Sequence, residues 1–266
     1  MLGLQGIALV TGAARGIGRA TAIAFARAGV AGIHITDVRS TLLEDTAKDA
    51  ISAATNPNFR VFTSVVDATK EDQVVQMVND TVKTFGRMDY AANIAGLVLD
   101  NPSVTADVTM AEYDRVNNIN ARGVFMCMRE ELRVMLKQDP LVHIPGRPAI
   151  RGAITNLGSL AAQLASPGMN SYTASKHAVV GMTKAAALNH ALDAIRVNVV
   201  CPGFIDTEML GDLWDANQSE GVCEAIPMKR MGRPEEIADH VLFSASQLSS
   251  YMTGHSWIVD GGFGIA

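Results

Sequence analysis

Thr11-Gly12-Ala13-Ala14-Arg15-Gly16-Ile17-Gly18 follows directly on the apolar, β-branched run Ile7 to Thr11 and opens a segment of helical period, Ile17 to Ala28. Glycines at 12, 16 and 18 allow a tight turn and a close backbone approach. The first amides of a helix, which have no partner within the helix, then face whatever lies over the turn. With Arg15 and Ile17 between the glycines, such a strand-turn-helix is suited to a pyrophosphate. The spacing differs from the G-x-G-x-x-G of two-domain dehydrogenases.

Outward from this turn the chain keeps one rhythm. Short β-rich runs fall at Ile7–Thr11, Ile33–Asp37, Val61–Val66, Tyr90–Asn93, Ala153–Leu157, Arg196–Val200 and Ser256–Val259. Between them lie helical patterns at Ile17–Ala28, Leu42–Ala54, Glu71–Phe85, Met110–Leu136, Gly168–Leu192 and Pro234–Ser246. Strands joined by helices of this length run parallel, and the right-handed crossover rule predicts a doubly wound sheet of about seven strands. We expect one α/β domain over residues 1–266. Two stretches break the rhythm. Gln138–Arg151 contains Pro140, Pro145 and Pro148 and reads as a surface loop. Pro202–Pro227 carries Phe204, Met209, Leu210, Leu213 and Trp214 and reads as a substrate lid over about residues 203–227.

Composition bounds the possible functions. The chain has 266 residues, 48% hydrophobic and 18% charged, with a net charge of -5 and no basic cluster, so a nucleic-acid partner is not expected. The longest uncharged run, Gly152–Ser175, is too polar to span a bilayer. Three scattered cysteines, Cys127, Cys201 and Cys223, suggest buried thiols in a reducing compartment, and no secretory leader precedes Ile7, so the cytoplasm is the expected address. The six histidines form no ligand cluster, and no metal is expected.

Asp37 ends the second β-run, 19 residues after Gly18, where a carboxylate is placed to accept from ribose hydroxyls. Its charge repels a 2'-phosphate and favours NAD. Arg15 and Arg39 argue for NADP, since a guanidinium pairs well with that phosphate. NAD is the expected cofactor and NADP the alternative.

The turn, TGAARGIG, resembles the TGxxxGxG of the short-chain dehydrogenase/reductase family, and the resemblance continues along the chain. Asn93-Ile94-Ala95-Gly96 is similar to the NNAG that follows the fourth strand. Asp67-Ala68 falls where the family meets the adenine ring. Asn120 matches its fourth-helix asparagine, and Pro202-Gly203-Phe204-Ile205-Asp206-Thr207 resembles the PGxxxT segment that contacts the nicotinamide carboxamide. Most specific is Ser159 with Tyr172 thirteen residues on and Lys176 one helical turn further. Two departures stand out: Ile94 where the family often has Asn or Ala, and Gly158-Ser159 where it often has Ser-Ser. The long Gln138–Arg151 insertion, with Gly146-Arg147-Pro148, resembles fungal members, many of which act in secondary metabolism.

The resemblance implies a Rossmann fold and a hydride-transferring oxidoreductase. It makes Tyr172 the general acid/base, Lys176 its electrostatic partner and ribose donor, Ser159 the anchor of the substrate oxygen, and Asn120 the holder of a relay water. It also assigns Gly12, Arg15, Gly16, Ile17, Gly18, Asp37, Asp67, Ala68, Asn93, Ala95, Gly96, Pro202, Gly203, Ile205 and Thr207, with Tyr172 and Lys176, to the cofactor. A free phenol of pKa about 10 is a poor base at neutrality. A cation about 4 Å away offers about 4 kcal/mol at an effective dielectric of about 20, roughly three pKa units before desolvation. The segments Leu97–Asp100, Leu160–Met169 and Phe204–Trp214 are mainly apolar, so the expected substrate is a small apolar secondary alcohol or ketone, of terpenoid, polyketide or steroid-like skeleton. Family members assemble as tetramers or dimers, and a homo-oligomer is expected. The rival readings are an NADP-dependent ketoreductase, an isomerase or cyclase that uses the bound cofactor without net redox, and a non-catalytic nucleotide sensor.

Overall fold

The computed structural model describes residues 3–98, 103–142, 144–211 and 216–266. Seven strands form one sheet in the order β3-β2-β1-β4-β5-β6-β7. They are β1 (Ile7–Thr11), β2 (Gly32–Asp37), β3 (Arg60–Val65), β4 (Tyr90–Asn93), β5 (Gly152–Leu157), β6 (Ile195–Pro202) and β7 (Ser256–Val259). Every pairing is parallel. The chain is a single-domain Rossmann fold, as its β/α rhythm predicts.

The helices are α1 (Gly16–Ala28), α2 (Ser40–Ala53), α3 (Glu71–Phe85), α4 (Met110–Asn117), α5 (Val124–Met135), α6 (Asn170–His190), α7 (Glu208–Gly211), α8 (Ala216–Ala225) and α9 (Pro234–Ala245). α1 packs between α2 and α9 on one face, while α3, α5 and α6 cover the other. The inner strands β1, β4 and β6 are buried along their whole length, which is why they read as near-continuous apolar runs. One core, built on Val10, Phe25, Ile33 and Tyr90, lies under α1 and α9. The other, rich in Met77, Met88, Met126, Met128 and Met135, lies under α3, α5 and α6. α3 shows why such a segment becomes a helix: Glu71 and Asp72 stand in its first turn and Lys83 in its last, each opposing the partial charge of its helix end.

The structure departs from sequence expectation in one long element. The continuous helical pattern Met110–Leu136 is interrupted at Asn118–Gly123, which winds as a π-helix between α4 and α5. The predicted loop Gln138–Arg151 is largely irregular but anchored. Leu141 and Ile150 exchange backbone hydrogen bonds, and Gln247 donates to Pro148 O at 2.9 Å. Of the predicted lid, α7 and α8 are described, whereas Leu213 and Trp214 lie outside the described residues. His34 on β2 is a packing histidine, held by Thr81 and Ser64, and burial pulls its pKa down to about 4. No described helix is long and apolar enough to cross a membrane.

Candidate active site

Strand order reverses between β1 and β4, so the helices following them leave on opposite faces and a crevice opens at the C-terminal strand ends. A cleft of about 230 Å³ occupies that position. Its wall includes Gly12, Arg15, Gly16, Ile17, Gly18, Asp37, Asp67, Ala68, Ala95, Gly96, Ser159, Tyr172, Lys176, Pro202, Gly203, Ile205 and Thr207. Two expected site residues, Asn93 and Asn120, are not on the wall.

The glycine turn fits a dinucleotide by shape and by charge. Gly12 has φ +67°, and a Cβ there would stand 2.7 Å from Ala95 N and Cα, so only glycine lets the turn touch the strand-end loop after β4. A Cβ on Gly18 would collide with the Gly12 carbonyl. The N-terminus of α1 has no side-chain cap and no acidic residue in its first turn, which leaves its amides for an anion on the cleft side.

At the adenosine end, Asp37 is 7% exposed. Its carboxylate accepts from Ala14 N at 3.1 Å and from Arg39 N at 3.0 Å, so turn and β2 end are tied together. The Arg39 guanidinium lies 3.8 Å away. Asp67 accepts from the Thr69 hydroxyl at 2.7 Å and the Thr69 amide at 2.9 Å. The hydroxyl bond is the main reason its carboxyl is held below the usual range.

At the other end, Tyr172 stands in the first turn of α6 and Lys176 one turn on, both on the cleft wall. Ser159, just past β5, draws the Tyr172 phenol down against burial, and its Oγ accepts from Ala161 N at 3.1 Å. Lys176 Nζ donates to Leu157 O at 2.9 Å and lies 5.6 Å from the centre of the Tyr172 ring. Burial leads the shift of both groups. Burial pushes the Tyr172 hydroxyl up and the Ser159 side chain opposes it. Burial pulls Lys176 down to about 8.

Asn120 is fully buried within the π-helix. Its Oδ1 accepts from Leu97 N and its Nδ2 donates to Leu97 O, both at 2.9 Å, and Nδ2 also reaches Ser175 Oγ at 3.2 Å. Ser175 in turn donates to Tyr172 O at 2.7 Å. The asparagine side chain thus staples the loop after β4 to the helix that carries Tyr172. Asn93 points beneath the cleft, where its amide meets Glu131 and Asn156.

Sequence reasoning did not single out Thr11, Ser175, Glu131 or Asn156. Thr11 Oγ1 accepts from Ile94 N and Ala95 N at 3.1 and 3.2 Å and so fixes the loop over the turn. A signal existed for Glu131: a carboxyl at the i+4 position from Cys127, on the apolar face of a helix. Cys201 is buried beside Gly158, and burial pushes its thiol up. Leu97, Val98, Leu157, Met209 and Leu210 form the apolar part of the wall, and Leu99 and Asp100 of the expected substrate segment lie outside the described residues. Among the described residues no three His, Cys, Asp or Glu side chains cluster as a metal site.

Comparison with known proteins adds relatives of the same length. Residues 12–264 match the family described as Enoyl-(Acyl carrier protein) reductase. The chain is 41% identical over 268 residues to the short-chain dehydrogenase srdC of Neurospora crassa, covering 99% of this chain and 98% of that one. It is 36% identical to the 3-oxoacyl-acyl-carrier-protein reductase FabG of Thermotoga maritima, with 96% of each covered. Among solved structures, levodione reductase superposes with a TM-score of 0.89 at 33% identity, over 98% of both chains.

Proposed function

The chain belongs to the short-chain dehydrogenase/reductase family, oxidoreductases that use NAD(P)(H) on alcohol and ketone groups, and we propose that it is an NAD(H)-dependent dehydrogenase/ketoreductase of apolar secondary alcohols or ketones. One observation carries this reading: Ser159, Tyr172 and Lys176 share the wall of the same cleft as the glycine turn. A bound nicotinamide dinucleotide supplies the redox partner for the substrate carbon.

The chain's own groups handle the proton and the geometry. Tyr172 Oη takes the hydroxyl proton during oxidation, or returns it during reduction. Ser159 Oγ anchors the substrate oxygen. Lys176 steadies the phenolate and holds the ribose, and Asn120 shapes the relay behind them. Gly12, Gly16, Gly18, Ala95 and Gly96 let the pyrophosphate and nicotinamide lie against backbone, and Pro202, Gly203, Ile205 and Thr207 bound the carboxamide side.

NAD is favoured because the amides of Ala14 in the turn and Arg39 after β2 hold the Asp37 carboxylate at the end of β2, a negative charge where a 2'-phosphate would stand. The apolar substrate class is supported by the charged groups on the wall. Arg15, Asp37, Arg39 and Asp67 all belong to the turn and adenosine end, which among the described residues leaves Lys176 and Glu208 elsewhere. The 203–227 segment closes over the substrate, and the whole acts as a cytoplasmic homo-oligomer, a tetramer or dimer. Exposed Met110, Tyr113 and Phe125 on α4 and α5, and the open edge of β7 with exposed Ile258, suit the contacts between copies. Light scattering checks the assembly.

The deciding experiment follows absorbance of reduced nicotinamide over a panel of apolar alcohols and ketones beside charged sugars and acids, with NAD and NADP compared at each. Turnover confined to charged substrates, or a strong NADP preference, defeats the corresponding part of the proposal.

A further inference from the structure

On the sheet face covered by α3, α5 and α6, a carboxyl group lies in the core below the cleft. Glu131 is fully buried on α5. Its Oε2 accepts from Asn93 Nδ2 at 3.0 Å, and its Oε1 meets no polar group. The same Asn93 nitrogen donates to Asn156 Oδ1 at 3.0 Å, and Asn156 Nδ2 continues to Thr183 Oγ1 at 2.9 Å. Four elements are thereby joined: α5, β4, β5 and α6. Asn93 lies in register with Thr11 on one side and Asn156 on the other, one residue below the level at which the strands enter the site. Ile94 and Ala95, immediately after Asn93, are the residues held by Thr11 Oγ1. Leu157, immediately after Asn156, gives its carbonyl to Lys176.

An ionised carboxylate in such surroundings costs several kcal/mol unless a cation or several donors compensate it. Here compensation is one amide. The groups of its network are all uncharged: the thiol of Cys127 on its own helix, itself pushed well up by burial, the amide of Asn93 on β4 that it accepts from, the amide of Asn156 on β5 behind Asn93, and the hydroxyl of Thr183 on α6 behind Asn156. Among the described residues no lysine, arginine or histidine pairs with it. Burial pushes the carboxyl up to about 8, with the Asn93 bond pulling the other way.

We propose that Glu131, as a neutral carboxylic acid, is a positioning residue for the dinucleotide site: it fixes the Asn93 amide, and with it the level at which β4 and β5 present Ile94–Gly96 and Leu157–Ser159 to the cleft. This rests on the redox reading given above. Ionising Glu131 draws water toward the network and parts α5 from β4, so dinucleotide binding selects the protonated form. The competent fraction then falls about tenfold per pH unit once the group titrates, and apparent affinity falls with it. Lys176, which burial brings to about 8, titrates in the same range. Its effect is common to wild type and Glu131 variants, so the difference between proteins is the measure.

The experiment titrates NADH into wild type, Glu131→Gln and Glu131→Leu by its fluorescence, from about pH 6 to about pH 9. Glu131→Gln keeps the shape and an acceptor for Asn93 but cannot ionise. It is expected to match wild type near neutrality and to bind NADH about tenfold more tightly than wild type near pH 9. Glu131→Leu, which leaves Asn93 short of an acceptor, binds more weakly than Glu131→Gln at every pH. Infrared spectra of the unliganded proteins at neutral pH show the carbonyl stretch of a buried protonated acid in wild type and not in Glu131→Gln. Superimposable NADH profiles for wild type and Glu131→Gln, or absence of that band, overturn the proposal. Failure of every protein to bind NADH at any pH, with the band present, overturns instead the dinucleotide reading beneath it.

Discussion

Serine at position 158, common where this chain has glycine, is expected to damage this protein, and the structure sets the size of the damage. A Cβ on Gly158 would stand 2.7 Å from Cys201 Sγ, 2.8 Å from Val199 Cγ2 and 3.3 Å from the Val200 carbonyl. All three atoms belong to β6, which cannot retreat, because β7 pairs with it at Val200 and Cys201. Gly158 itself donates to Val200 O at 2.7 Å, so a displaced residue 158 also loses that bond. Overpacking of this kind costs about 1–3 kcal/mol, and the rigid neighbour places Gly158→Ser at the upper end. For a domain of this size about 3 kcal/mol corresponds to a fall in Tm of about 6–12 °C. Cys201→Ala removes the nearest of the three obstacles but not Val199. The double variant is therefore expected to recover about 1 kcal/mol relative to the sum of the single changes, a coupling typical of touching residues. Urea unfolding of the four proteins measures this directly. Because Ser159 is the next residue, turnover should fall more than NADH affinity. Wild-type stability in Gly158→Ser, or strictly additive effects with Cys201→Ala, would refute the packing argument.

Tyr172→Phe is expected to leave NADH binding nearly intact, measured by fluorescence, while turnover drops by several orders of magnitude; unchanged turnover removes the phenol from the mechanism. Asp37→Ser, with Arg39 kept, is expected to raise the NADP-to-NAD ratio of kcat/KM about tenfold to a hundredfold, the scale of one charge-assisted hydrogen bond plus the lost repulsion. Glu131→Gln also has a stability signature. The native carboxyl titrates at about 8 against an ordinary 4.5, so the native state binds more protons than the unfolded chain between those values. Its contribution is fully present below about pH 4.5 and is lost as pH rises toward about 8, a little over 1 kcal/mol per unit, or about 3 kcal/mol by neutrality. Urea midpoints for Glu131→Gln should therefore exceed those of wild type by a margin that widens with pH across that window, and a constant margin contradicts the assignment.

Much of this architecture was legible because it depends on local rules. Glycines at 12, 16 and 18 after a β-branched run leave few alternatives to a strand-turn-helix, and Tyr172 and Lys176 share a helix face by spacing alone. What stayed hidden depends on which neighbour a residue meets. Asn93 belongs to a motif associated with the cofactor, yet in the structure its amide bonds Glu131 and Asn156 beneath the cleft. The π-helix keeps an apolar pattern that reads equally well as α-helix, and only the hydrogen bonds of Asn120 to Leu97 and Ser175 give the widened turn a purpose. Glu131 follows Arg129 and Glu130 in sequence, and only the structure separates them: Glu130 pairs with Arg129 and Arg133, while Glu131 turns into the core. The shifts of Lys176 and Tyr172 likewise turn on burial, a quantity that spacing along a chain does not carry.

Wide winding at Asn118–Gly123 also fixes how this stretch of gene can vary. Each residue added to or removed from a helix rotates everything beyond it by about 100°. Excising one residue from the wide turn, which already holds one more than an α-turn, restores ordinary pitch and keeps the flanking helices in phase, so Met126, Met128 and Met135 still pack the sheet, whereas Asn120 loses the turn from which it reaches Leu97. The Gln138–Arg151 loop is irregular apart from its few anchoring hydrogen bonds, so length differences between relatives should accumulate there and stop abruptly at the end of α5.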